Sequence, residues 1–132
     1  MNLILSIKPK YVKHILDGTK KFEFRKTIFK QKVDKVYIYS SSPVMQIVAS
    51  FKVEDILTDN ISILWDKCHK YSGISKLEYE QYFSTKPTGY AIEITDLDIF
   101  SKAIYPKTVI ENFRAPQSFM YYDGNIEHLP KL

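Results

Sequence analysis

Residues 45–57, MQIVASFKVEDIL, form one unbroken β-prone run, more than twice the usual strand length of about five to six residues. In a small domain such a strand must bend or carry a bulge, as the strands of barrels do. The runs around it are shorter. NLILSI (2–7) reads as a buried strand, and VDKVYIYS (33–40) as another with Val36 and Ile38 inward. KKFEFR (20–25) alternates, with Phe22 and Phe24 on one face and Lys21, Glu23 and Arg25 on the other. YAIEITDLDIF (90–100) is a further strand, followed by a weak one at Ala103–Tyr105 and a helical turn near 107–112. Residues 115–132 read as irregular.

Helical spacing appears in two places. Pro9 suits a helix start, Tyr11, Val12, Ile15 and Leu16 recur on one face, and Gly18 ends the helix. Later, Asn60 is an N-cap before the stripe Ile61, Leu64, Trp65 and Cys68, and Gly73 breaks that helix. Ser75 and Glu78 then make a capping-box pattern for a helix through Phe83. The sum is an α+β chain forming a single domain over residues 1–132. It has about five to six strands in a closed or nearly closed β-barrel, one early helix, and a later helix pair.

Composition removes several classes. With 132 residues and 45% hydrophobic content the chain can bury a core without staples. No apolar run approaches the ~20 residues of a membrane span, and MNLILSI meets Lys8 too soon for a signal peptide. A single cysteine, Cys68, excludes an internal disulfide or a zinc-finger ligand set, and it sits on an apolar helix face as a buried thiol. His14, His69 and His128 are scattered, and Asp55, Asp59, Asp66, Glu78 and Glu80 lack metal-loop spacing. There is no glycine-rich phosphate loop, HExxH or GxSxG. We therefore expect no metal, no cofactor and no membrane partner, with the cytoplasm as the default compartment.

Charge is more informative by position than in sum. The net charge is +4, yet residues 8–35 carry +7 and the rest −3. That segregation points to an anion-binding face. Within it lies SIKPKYVKHILDGTKKFEFRK (6–26). A tight Gly18-Thr19 turn delivers a strand offering Lys21, Glu23 and Arg25 in a row, with Lys20 beside them. A carboxylate between cations stays ionised and holds them in place, and the Arg25 fork suits phosphate or a base edge. On strict alternation Lys20 and Glu23 point to opposite faces, so they share one cleft only if Lys20 precedes the regular strand. By the same local argument, Glu23 favours the charged form of Lys20, which favours binding over catalysis.

The pattern Gly18-x-Lys20-x-x-Glu23-x-Arg25, preceded by Ile7-Lys8-Pro9 and a helix ending at Asp17, resembles the signature of the ASCH family, of the PUA-like superfamily. The stretch Ile38 to Val44, the strand Gly89–Ile94 and the motif Pro116-Gln117-Ser118-Phe119 are similar too, in the family's order. The resemblance implies a small PUA-like β-barrel with a cleft beside the first helix, and recognition of RNA or a modified nucleotide or nucleoside. It also implies two enzymatic possibilities, a nuclease and an amidohydrolase that deacetylates N4-acetylcytidine. In the amidohydrolases a lysine two residues after the glycine is catalytic, the place of Lys20. A threonine three residues on is replaced here by Glu23, and the later glutamate has no counterpart in Lys70-Tyr71-Ser72-Gly73.

The leading reading is an RNA-binding domain whose site comprises Lys8, Lys20, Lys21, Glu23 and Arg25, with Tyr39 for stacking and Ser40, Ser41, Ser42, Gln117 and Ser118 as polar partners. If the chain is an enzyme, Lys20 and Glu23 are the catalytic candidates. A module with a protein partner is the third reading.

Overall fold

In the computed structural model, which describes residues 1–132, the chain opens with β1 (Asn2–Ile7). Its Leu3, Ile4 and Leu5 are almost wholly buried, because β1 has neighbours on both edges and apolar packing on both faces. Helix α1 (Pro9–Leu16) follows, closed by Gly18 at φ 86°. The chain continues through β2 (Phe22–Arg25), β3 (Lys35–Ser40), β4 (Gln46–Asn60), α2 (Ile61–Cys68), α3 (Lys76–Phe83), β5 (Thr88–Ile104) and β6 (Phe119–Tyr122). Asn60 and Ser75 cap α2 and α3 by accepting the Ile63 and Glu78 N–H groups. No helix is long and apolar enough to cross a membrane.

The six strands form one mixed sheet in the order β2-β5-β4-β3-β1-β6. Only β1 and β3 pair in parallel. The long strand bends as its length requires: register shifts interrupt the β4–β5 ladder at Ile47/Ala49, Ser50/Lys52 and Val53/Ile56. The sheet is barrel-like but not closed, since its end strands β2 and β6 do not pair with each other.

Three apolar clusters hold the layers. One contains Leu3, Leu5, Val12, Ile15, Ile38 and Phe51, joining α1 to the sheet. A second, on the other face of β1 and β3, contains Ile4, Tyr37, Tyr39, Ile47, Phe113 and Ile126. The third seats α2 and α3 on β2 and β5 through Phe24, Leu64, Cys68, Tyr79, Phe83 and Ala91.

Several boundaries differ from the sequence reading. The 20–25 strand begins only at Phe22, and Lys20 makes a lone bridge to Ser72. The segment 103–105 is no separate strand, because β5 runs on through Ala103 and Ile104. A single 3-10 turn at Pro106–Thr108 replaces the helical turn near 107–112. β6 lies in the segment expected to be irregular. It is a short, half-buried FMYY run whose order comes from pairing with β1, Leu5 opposite Phe119.

Candidate functional site

The turn after α1 sets the position of Lys20. Asp17 Oδ1 accepts hydrogen bonds from the Thr19 N–H at 2.9 Å and from its hydroxyl at 2.6 Å. The Lys20 N–H donates to the His14 carbonyl and the Lys21 N–H to the Tyr71 carbonyl. Lys20 is thus held ahead of the regular strand, and its side chain turns inward with Glu23. Its Nζ donates to the Ser72 carbonyl at 2.7 Å and lies 3.7 Å from Glu23 Oε1. The same ammonium sits 5.0 Å from the Phe24 ring centre and 5.6 Å from that of Tyr11.

Glu23 links this lysine to Arg25, whose Nη2 lies 2.6 Å from Glu23 Oε2. Arg25 also donates from Nη2 to the Ser6 carbonyl at 2.9 Å and from Nη1 to Ser118 Oγ at 3.3 Å. Its buried Nε has no partner. Across the space, the Tyr11 hydroxyl and Lys10 Nζ both donate to Glu78 Oε2, at 2.9 and 3.0 Å. Ser6 anchors the far loop by donating from its hydroxyl to the Pro116 carbonyl and from its N–H to the Ser118 carbonyl. These groups enclose a cleft of about 560 Å³, lined further by Ile7, Lys8, Ser41, Ile74, Tyr82 and Gln117.

Lys20 is 2% exposed, and burial drives its amine below the ordinary lysine range. Glu23 pulls the other way and is outweighed. Glu23 does favour the charged form of Lys20, as the local argument has it, but that argument leaves out the cost of desolvation, which is the larger effect. Such an amine can carry or accept a proton nearer neutral pH, as a base or nucleophile must. Burial first, then the hydrogen bond to Glu78, pushes the Tyr11 hydroxyl up to about 12, so it stays protonated. Cys68 is buried and its thiol is pushed up to about 11, which leaves it unreactive.

Of the residues singled out in the sequence, Lys8, Lys20, Glu23, Arg25, Ser41, Gln117 and Ser118 line the cleft. Lys21, Tyr39, Ser40 and Ser42 do not. Lys21 is exposed and its Nζ lies 4.5 Å from the Tyr71 ring centre. Tyr39 and Ser40 are buried because β3 is covered on both faces, and Ser42 is exposed on the turn. Sequence reasoning missed Ser6, Tyr11, Glu78 and Tyr82. Tyr11 has the spacing of a core residue and Glu78 that of a cap, so neither announces a second role.

The architecture is that of a PUA-like domain: an open, barrel-like mixed sheet with a helix-flanked cleft at the ends of β1 and β2. The chain belongs to the ASCH domain family, whose model matches residues 5–98. It is 34% identical over 91 residues to large ribosomal subunit protein uL22 of Ureaplasma parvum serovar 3; the match takes in 68% of this chain and 29% of that one. The chain thus spans less than a third of that relative's length. It is 26% identical over 125 residues to an ASCH domain-containing ribonuclease of Zymomonas mobilis subsp. mobilis, covering 89% of this chain and 82% of that protein. The crystal structure of ASCH from Zymomonas mobilis has the same fold, with a TM-score of 0.86 at 24% identity, over 96% of this chain and 90% of that one.

Proposed function

We propose that this protein acts on single-stranded RNA, seating one nucleotide in the cleft and cleaving the strand there. The observation that carries the reading is Lys20, a buried amine with a lowered proton affinity, set beside the Glu23–Arg25 pair in a cleft of nucleotide size. A lysine that only neutralises phosphate gains nothing from burial, whereas a base does. The ribonuclease among the relatives supports the same substrate class.

In this reading neutral Lys20 accepts the proton of a ribose 2′-hydroxyl. The 2′-oxygen bonds to phosphorus, the bond from phosphorus to the 5′-oxygen breaks, and that oxygen takes a proton from the lysine ammonium. Arg25 and Lys8 hold the phosphate oxygens. A 5′-labelled single-stranded RNA is therefore cut, its all-DNA counterpart is not, and Lys20→Ala lowers the rate by about 10²-fold or more. Cleavage that survives Lys20→Ala overturns the catalytic assignment.

Glu78 favours a second reading, since it brings a carboxylate from the later helical region to the cleft. That set suits a small amidohydrolase acting on N4-acetylcytidine. Acetate release that vanishes in Lys20→Ala supports it, and no turnover at high protein concentration disposes of it.

A further inference from the structure

We propose that a second cavity beside the cleft is a subsite for the adjoining nucleotide of the same strand; this rests on the cleft being an RNA site. The cavity has a volume of about 440 Å³ and is lined by Tyr39, Met45, Tyr105 and Phe113, with Lys107 and Arg114 among its walls.

Two chain segments divide it from the cleft. On the turn after β3, Ser41 faces the cleft and Pro43 the cavity. On the loop before β6, Arg114 and Ala115 line the cavity while Pro116, Gln117 and Ser118 line the cleft. Consecutive Cα atoms are only about 3.8 Å apart, so the two spaces adjoin across one thickness of backbone. A strand leaving the cleft meets the cavity next.

The lining fits a nucleotide in both of its parts. Tyr105 and Met45 are 55% and 42% exposed, an apolar and aromatic surface on which a base can stack irrespective of its identity. Tyr39 is 3% exposed, and its hydroxyl is pushed up by burial alone with no hydrogen bond contributing, which leaves a polar group free for a base edge. Lys107 and Arg114 are exposed and form no ion pair. The chain has only two arginines, Arg25 in the cleft and Arg114 here. Cations beside a stacking surface complement a phosphate joined to a base better than they complement an apolar protein segment.

The test is competition by 2′-fluoro mono-, di- and tetranucleotides, which lack the attacking hydroxyl, against a labelled single-stranded RNA. The wild type gains about tenfold in affinity from mono- to dinucleotide. The variant Tyr105→Ala/Arg114→Ala, changed only at exposed positions, binds the mononucleotide like the wild type and loses that gain. Its salt slope with the tetranucleotide is shallower by about 0.7. A gain that persists in the variant overturns the subsite and leaves the cleft reading intact. If the wild type also dimerises and the variant does not, the patch belongs to self-association. Absence of binding at every length overturns the RNA reading of the cleft and the subsite with it.

Discussion

Lys20 keeps its place because residue 73 has no side chain. A Cβ on Gly73 would stand 2.5 Å from Lys20 Cβ, and the backbone there has φ +64°. Gly73→Ala therefore costs about 1–3 kcal/mol in urea unfolding and reduces RNA cleavage, by strain and by pushing Lys20 aside. Gly18→Ala is the control. Its φ of +86° is strained too, but nothing lies within 4 Å, so it loses stability and keeps cleavage. Equal losses of activity in the two variants contradict this account. A second prediction concerns Glu23, the group that partly restores proton affinity to Lys20 against burial. Removing its charge in Glu23→Gln drops the amine's pKa further, so at a given pH more of the lysine is neutral. The rising limb of the pH–rate curve then moves to lower pH, and the Lys20 Cε resonance titrates earlier in NMR. A limb that moves upward excludes Lys20 as the base.

At the level of elements, α3 carries Glu78 to the cleft and Ser75 fixes where α3 begins. Ser75 accepts the Glu78 N–H at 3.1 Å. Ser75→Ala costs about 1 kcal/mol and lowers the melting temperature by about 3–6 °C for a domain of this size. The Tyr11 hydroxyl then drops from about 12 toward the free value of ~10 as Glu78 loosens, which an ultraviolet titration reads. An unchanged Tyr11 titration separates the cap from the site. This cap was legible in the sequence, as were α1 and the bent β4, each recorded locally by caps, glycines and hydrophobic period; the inward turn of Lys20 was not, because it depends on the strand beginning only at Phe22. β6 was not, because four half-buried residues owe their order to β1 more than a hundred positions earlier. Tyr39 and Ser40 lie outside the cleft for a related reason: a turn-adjacent tyrosine reads as exposed until both faces of β3 are seen to be covered. Glu78 and Tyr11 form one wall only because α3 packs near α1, a distance no local pattern encodes.

Over the whole molecule, only part of the excess charge of +7 on residues 8–35 belongs to the cleft. Lys8 lines the cleft, while Lys30 and Lys32 are exposed and line neither cavity. Two effects can therefore be told apart. Diffuse positive charge raises the rate of encounter, and only cations that stay on a phosphate release counterions at equilibrium. Each such contact on a single strand contributes about −0.7 to the slope of log affinity against log salt. Lys8 and Arg25 alone set a slope near −1.4, and with Lys107 and Arg114 it nears −2.8 for RNA long enough to reach both cavities. Lys8→Ala lowers that magnitude by about 0.7, whereas Lys30→Ala/Lys32→Ala slows association at low salt and leaves the slope alone. Fluorescence anisotropy from 50 to 300 mM salt gives the slopes, and stopped-flow mixing gives the association rates. A slope that falls equally in both variants would mean that RNA lies across the whole basic face, and that the cleft is not where the strand is held.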